Sequence, residues 1–146
     1  MPDDQFSADP ARLDHTRVHQ LLSEHAYWAT GRTREAQDAA IAASRNYGIY
    51  TAAGEQIAYA RAVTDGVTFA WLADVIVDPA HRGRGLGTRL VDGALADLDA
   101  LGLKRVLLKA APEARAVYLR AGFAGLDEPE TWLQRRSPSA WGGWHP

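Results

Sequence analysis

The stretch richest in chemistry is Arg82-Gly83-Arg84-Gly85-Leu86-Gly87. It follows the apolar run Val75-Ile76-Val77 and the breaker pair Asp78-Pro79. A strand, a glycine-rich turn and a helix start leave backbone N–H groups unpaired, with the positive end of the helix dipole behind them. Such an arrangement binds phosphate. Gly83, Gly85 and Gly87 carry no Cβ, so a pyrophosphate can approach the main chain. Arg82 and Arg84 would add charge-assisted contacts, and Thr88 continues the same first turn. Spacing sets two other phosphate loops aside. A Walker A loop needs Gly-Lys-Ser/Thr, which is absent. In a dinucleotide fingerprint the third small residue would fall on Thr88, and no acid ends the next strand near Lys109.

Four further groups could carry chemistry. Asp74 lies within Trp71-Leu72-Ala73-Asp74-Val75-Ile76, where a carboxylate costs stability unless it is paired or functional. Strand alternation puts Asp74, Ile76 and Asp78 on one face and Val75 and Val77 on the other. Asp74 is therefore a candidate general base acting through water, or a substrate anchor. The structural alternative is an ion pair with Arg61 on the neighbouring strand. Glu24 and His25 are further candidates for the base. Tyr118 is a phenol with an ordinary pKa of ~10, able to donate a proton to a leaving group, or else a core residue beside Val117 and Phe123. His15 and His19 share a helix face, but no third ligand and no HExxH pattern accompany them, so no metal is expected. There is no G-x-S-x-G for a serine nucleophile.

Composition narrows the class. The chain has 146 residues, no Cys, and 16 Lys plus Arg against 18 Asp plus Glu. That is one domain's worth of sequence, since domains cluster around ~100–150 residues, and residues 1–146 are read as a single domain. Without Cys there is no disulfide scaffold, no thiolate metal site and no acyl-cysteine intermediate. A net charge of −2 argues against a general nucleic-acid or anionic-membrane binder. No apolar run approaches the ~18 residues of a membrane span, and the acidic N-terminus is no signal peptide. A cytoplasmic location is the expectation. Charge is unevenly spread: residues 1–79 carry net −5 and residues 80–120 net +4. One basic segment in a neutral chain suits one anionic ligand there.

The elements that must position these groups follow from periodicity. A short strand is expected near Gln5–Ser7. A helix starts at Thr16 behind the cap Asp14 and is stopped by Gly31. A second helix is expected from the cap Thr33 to about Asn46, ended by Gly48. Strands follow at Ile49–Thr51, Gln56–Thr64 and Val67–Val77, with Asp65-Gly66 as the hairpin turn. After the loop a helix runs to about Leu101, with Gly102 as its stop. Then come a strand over Arg105–Ala110, a helix opening at Pro112 and ending at Gly122-Phe123, and a last strand at Thr131–Gln134. The order β-α-α-β-β-β-α-β-α-β gives an α/β (α+β) fold, a mixed, mostly antiparallel sheet flanked by helices.

The frame R-x-x-G-x-G, here Arg82 to Gly87, resembles the coenzyme-A loop of the GCN5-related N-acetyltransferase (GNAT) superfamily. Tyr118-Leu-Arg-Ala-Gly122-Phe123 resembles its second signature, a Tyr four residues before Gly-Phe. One helix, one strand and a second helix separate the two, as in that superfamily, and antiparallel strands precede them. The resemblance covers about residues 17–134, with 135–146 as a tail, and the segment His25 to Arg32 is similar to one group of small bacterial members.

The resemblance implies direct acetyl transfer from acetyl-CoA to a primary amine of a small molecule or peptide. It implies that the backbone of Val75, Ile76 and Val77 holds the pantetheine arm and the oxyanion, and that Tyr118 lies near the sulfur. It also implies that the first two helices wall the acceptor site. There Tyr27 and Trp28 can pack on a substrate or clamp a cation, and Arg32 or Arg34 can bind a carboxylate. The acidic N-terminal half points instead to a polyamine or aminoglycoside-like cation. One departure stands out. Many members carry an Asn after the strand that follows the loop helix, and this chain has Ala110-Ala111-Pro112 there. Trp141 and Trp144 in the tail either cover a homodimer contact, cover the acceptor cleft, or are solvated. The alternative to an enzyme is a degenerate member that binds acyl-CoA as a sensor or structural module.

Overall fold

The computed structural model describes residues 3–136, so the tail tryptophans Trp141 and Trp144 lie outside the described residues. In chain order the elements are β1 (Gln5–Ser7), α1 (His15–His25), α2 (Arg34–Ala42), β2 (Arg45–Tyr50), β3 (Gln56–Thr64), β4 (Phe69–Val77), α3 (Leu86–Asp99), β5 (Arg105–Leu107) and α4 (Arg115–Arg120). The sheet runs β1-β2-β3-β4-β5, antiparallel except for the parallel pair β4–β5. The parallel step needs a crossover, and α3 supplies it.

The caps are where the sequence places them. Asp14 accepts the Arg17 N–H at 3.0 Å and Thr33 accepts the Ala36 N–H at 3.1 Å. Each satisfies one orphan donor of a first helical turn. Val18, Leu21 and Leu22 of α1 are buried against Tyr59 and Ile76 on one face of the sheet. Leu90, Ala94 and Leu98 of α3 are buried against Ala58, Ala60 and Leu72 on the other. Fully burying each leucine contributes ~1.5–3 kcal/mol. Gly93 of α3 is a packing residue, because a Cβ there would stand 2.4 Å from the Phe6 ring. Its absence lets β1 lie under the helix.

Several expected boundaries move. Helix α1 stops at His25 rather than running to Gly31, and a 3-10 turn, Tyr27–Ala29, intervenes. Helix α2 stops at Ala42 rather than near Asn46. Arg45–Tyr50 is strand, with Asn46 and Gly48 inside it. Five of its six residues are buried, so both faces are covered and no alternation betrays it. Strand β4 begins at Phe69, because the Asp65 carboxylate accepts the Val67 and Thr68 N–H groups and lengthens the turn. Pro112 opens a 3-10 turn, with α4 following from Arg115. The last strand expected at Thr131–Gln134 is not formed. A 3-10 turn occupies Pro129–Thr131, and the Trp132 ring lies 5.6 Å from the Arg105 guanidinium.

One irregularity sets up the site. Pairing of β3 with β4 matches Arg61 to Ala73 but Tyr59 to Ile76. One extra residue is thus accommodated on β4, and Asp74 takes φ 55°. This is a β-bulge, which turns the strand locally and redirects side chains. Ala70 and Leu72 face α3 before it. Val75 and Val77 face α3 after it, so Asp74 and Ile76 are turned toward α1. Pairing with β5 ends at Trp71–Leu107, and the two strands splay from there.

Candidate active site

The splay opens a cleft of about 310 Å³. Ala73, Asp74 and Val75 of β4 form one wall, and Lys109, Ala110, Ala111 and Tyr118 the opposite one. Tyr27, Trp28 and Arg32, from the segment between α1 and α2, close one side with Arg61, and Gln134 reaches in from the C-terminal segment. Strand β5, expected to reach Ala110, stops at Leu107 because residues beyond it have left the ladder to line this cleft.

The backbone of β4 is exposed to the cleft in a defined way. The Asp78 N–H donates to the Ile57 carbonyl at 2.8 Å. Antiparallel ladders alternate, so Ile76 pairs its amide with β3 while Val75 and Val77 turn theirs toward the side where β5 has ended. Of the three residues expected to present backbone, Val75 and Val77 form the open edge. Ile76 instead packs its side chain against α1.

That edge runs straight into the glycine loop. Asp78 caps the 3-10 turn Pro79–His81 by accepting the Ala80 N–H at 3.0 Å, and it pairs with Arg17 at 2.5 Å. Burial acts to raise the pKa of Asp78, but the Ala80 N–H and Arg17 outweigh it and hold the carboxyl below its usual range. Gly83 and Gly85 have φ 80° and 73°, and Gly85 is the N-cap of α3. Left-handed backbone of this kind suits glycine. Among the described residues no side chain caps this helix, and its first intrahelical bond runs from the Arg89 N–H to the Gly85 carbonyl. The N–H groups of Leu86, Gly87 and Thr88 are left without helical acceptors. A Cβ at Gly83, Gly85 or Gly87 would meet nothing within 4 Å. An uncapped helix start with open space above its glycines fits a pyrophosphate.

The two loop arginines diverge. Arg82 is exposed. Arg84, expected on the phosphates, folds back instead: it pairs with buried Asp4 and with His81, while Arg89 donates to the Asp4 carbonyl at 2.8 Å. Asp4 lies 80 residues upstream of Arg84, so no local pattern signals this contact.

On the side of the cleft closed by the segment between α1 and α2, Asp74 is the hub. It is only 5% exposed. Its Oδ2 accepts from Arg32 Nη1 at 2.6 Å and Arg61 Nε at 2.7 Å, and its Oδ1 accepts from the Trp28 indole N–H at 3.1 Å. Burial raises its pKa, but the charges and hydrogen bonds of Arg61 and Arg32 outweigh it and hold the carboxyl below its ordinary value. The expected pair with Arg61 is present, and Arg32 joins it. Arg32, expected to meet a substrate carboxylate, has turned inward onto Asp74 and onto Gln37 at 2.9 Å. Arg34 is engaged with Asp38 and Thr16 on the exposed face. Trp28 is the packed member of the aromatic pair. Tyr27, 53% exposed, stands edge-on to it at 5.2 Å.

Tyr118 is buried, with its ring edge-on to Phe123 at 5.9 Å, yet it lines the cleft. Burial pushes its pKa up to about 12, so the phenol holds its proton at neutral pH. The only Asn of the chain, Asn46, is structural. It donates to the Ile41 and Ser44 carbonyls and accepts from Tyr59. Among the described residues, Glu55, Asp78 and His81 form the one group spaced to hold a cation, and Arg17 bridges its two acids. Trp71, half-exposed beside Asp74, and Lys109 are cleft residues that spacing alone did not single out.

The Acetyltransferase (GNAT) family profile matches residues 11–123. A crystal structure of a GNAT-family protein from Xanthomonas campestris pv. campestris is 35% identical, with a TM-score of 0.87 over 97% of this chain and 98% of that one. Serotonin N-acetyltransferase 2, chloroplastic, from Oryza sativa subsp. japonica is 39% identical over 74 residues, 51% of this chain and 37% of the relative. The match thus spans little more than a third of that protein's length. A Mycobacterium tuberculosis protein solved in complex with CoA shares the fold at 20% identity, with a TM-score of 0.69 over 84% of this chain and 73% of that one. The glycine loop, the splayed β4–β5 cleft and these matches together place the chain in the GNAT acetyltransferase family.

Proposed function

We propose that the protein transfers an acetyl group from acetyl-CoA directly to the primary amine of a small molecule or peptide. One observation carries the reading. The open backbone edge of Val75 and Val77 leads without interruption from a cleft containing the Tyr118 phenol to an uncapped, glycine-lined helix start. A long thioester with a pyrophosphate at one end fits this track. The Mycobacterium tuberculosis relative that shares the fold was solved with CoA, which supports the same donor.

The residues divide the work as follows. The N–H groups of Leu86, Gly87 and Thr88, with Gly83, Gly85 and Arg82, bind the pyrophosphate. Val75 and Val77 hold the pantetheine arm by main-chain hydrogen bonds and offer an N–H to the developing oxyanion. Tyr118, protonated at neutral pH, gives its proton to the departing thiolate. Asp74 orients Arg32, Arg61 and Trp28 and so shapes the acceptor wall. Its depressed pKa makes it a poor acceptor of the amine's proton, so the amine enters in its neutral form or loses its proton to water. With no Cys in the chain, the acetyl group passes to the amine without an acyl-cysteine.

An amine panel with acetyl-CoA, read by free-thiol release, tests the proposal. Release that depends on an amine supports it. Binding of acetyl-CoA with no release on any amine would leave the sensor or structural module as the function.

A further inference from the structure

We infer that the acceptor is a primary amine bearing an anionic group, a carboxylate or a phosphate, and that Arg61 is the residue that reads it. The inference rests on the transfer reading above and names its substrate class. Among the described residues Asp74 is the only acid lining the cleft, whereas Arg32, Arg61 and Lys109 all line it. Both Asp74 oxygens are engaged, one by two guanidiniums and the other by the Trp28 indole. Among the described residues, a second ammonium on the acceptor would therefore find no carboxylate waiting for it.

Arg61 is the side chain with capacity to spare. Its Nε is fixed on Asp74 at 2.7 Å, and its Nη1 makes only a long 3.4 Å contact with Ser44. Its Nη2 has no partner among the described residues, and the side chain is 17% exposed at the cleft. A guanidinium anchored along one edge presents its remaining donors in a fixed plane, the geometry that suits carboxylate or phosphate oxygens. Because Asp74 holds Arg61 in place before the ligand arrives, little side-chain entropy is lost on binding. Half-exposed Tyr27 and Trp71 flank this group and give the carbon skeleton an apolar surface.

The test uses matched acceptors with acetyl-CoA: tyrosine against tyramine, β-alanine against propanolamine, phosphoethanolamine against ethanolamine, and putrescine as a dication. Thiol release gives kcat/KM, and melting temperature with CoA present gives binding. The acid of at least one pair should exceed its neutral partner by ~10-fold or more, the scale of one charge-assisted hydrogen bond. The pair that shows the preference separates carboxylate from phosphate. In Arg61→Met the preference should fall to within about 2-fold, and Arg61→Lys should restore part of it. Equal or faster turnover of the neutral amines or putrescine overturns the inference and leaves the transferase reading intact. No thiol release, with melting raised only by the acids, upholds the anion site and overturns transfer. No release and no acid-specific rise in melting overturns both.

Discussion

The two ends of the cleft are built on opposite plans. At the acceptor end, three side chains from two other parts of the chain, Trp28 and Arg32 from the segment before α2 and Arg61 from β3, converge on the Asp74 carboxylate across up to 46 residues of sequence. At the donor end, one stretch of main chain presents the N–H groups of Val75, Val77 and Leu86 to Thr88, with empty space above its glycines. The first is a set of bonds centred on Asp74 that meets most of the cost of burying charge internally and leaves a spare donor on Arg61. The second is left unsatisfied until a ligand arrives. Damage to the acceptor end should therefore register mainly as lost stability, and damage to the donor end as lost affinity.

The largest effect is expected at Asp74. Asp74→Asn leaves the buried Arg32 and the partly buried Arg61 guanidiniums without their counter-charge, a loss of about 3–5 kcal/mol, or on the order of 10 °C in melting temperature for a chain of this size. Scanning calorimetry checks it. A variant that melts like wild type would show the network to be ornamental. The same hub sets a pH signature. Asp74 has a folded pKa below its unfolded value of ~3.9. Its contribution is fully present above that unfolded value and is lost as pH falls through the folded one. Stability of wild type should drop in this acid range, and the Asp74→Asn curve should be flatter there.

At the donor end, Gly85→Asp keeps the fold, since Asp tolerates left-handed backbone better than most residues, but it places a negative charge where phosphate must approach. Wild type should gain ~2.7 kcal/mol of stability from acetyl-CoA at 100 times its dissociation constant. In the variant that gain should vanish. An undiminished thermal shift would remove the phosphate from this loop.

Tyr118→Phe separates chemistry from both ends. Its kcat should fall by about 10-fold to 10²-fold if the phenol protonates the thiolate. Acetyl-CoA affinity should be little changed, because the ring still packs on Phe123. An unaltered kcat would make Tyr118 a packing residue.

The smallest effects sharpen the contrast within one loop. Arg82→Ala should weaken acetyl-CoA by ~3-fold to 10-fold with melting unchanged, as suits an exposed charge on a phosphate. Arg84→Ala should lower stability by ~1–3 kcal/mol, since it takes this partner away from the buried carboxylate of Asp4. Reversed outcomes for the two arginines would mean that Arg84 leaves Asp4 for the ligand.

Much of the architecture is legible in the chain because its causes are local. The caps Asp14 and Thr33, the strand Gln56–Thr64, and the helix start after Gly85 depend on residues within a few positions of one another. The glycine loop is legible for the same reason: the phosphate site proposed there needs only backbone and missing Cβ atoms. Strand β2 was hidden because both its faces are buried, which erases the period of two. The β4 bulge was hidden because it is a property of the pairing with β3, not of β4 alone.

Residue types and spacing therefore specify the proposed donor site and the family's pattern, since those rest on short-range steric and hydrogen-bonding rules. The fates of the charged residues are another matter. Arg32 turned inward to Asp74, Arg84 was taken by Asp4, and Arg61 kept a donor to spare only because strands and helices distant in sequence were brought within ~3 Å of one another. A charge chooses its partner by distance and burial, and both quantities come into being only when the chain has folded.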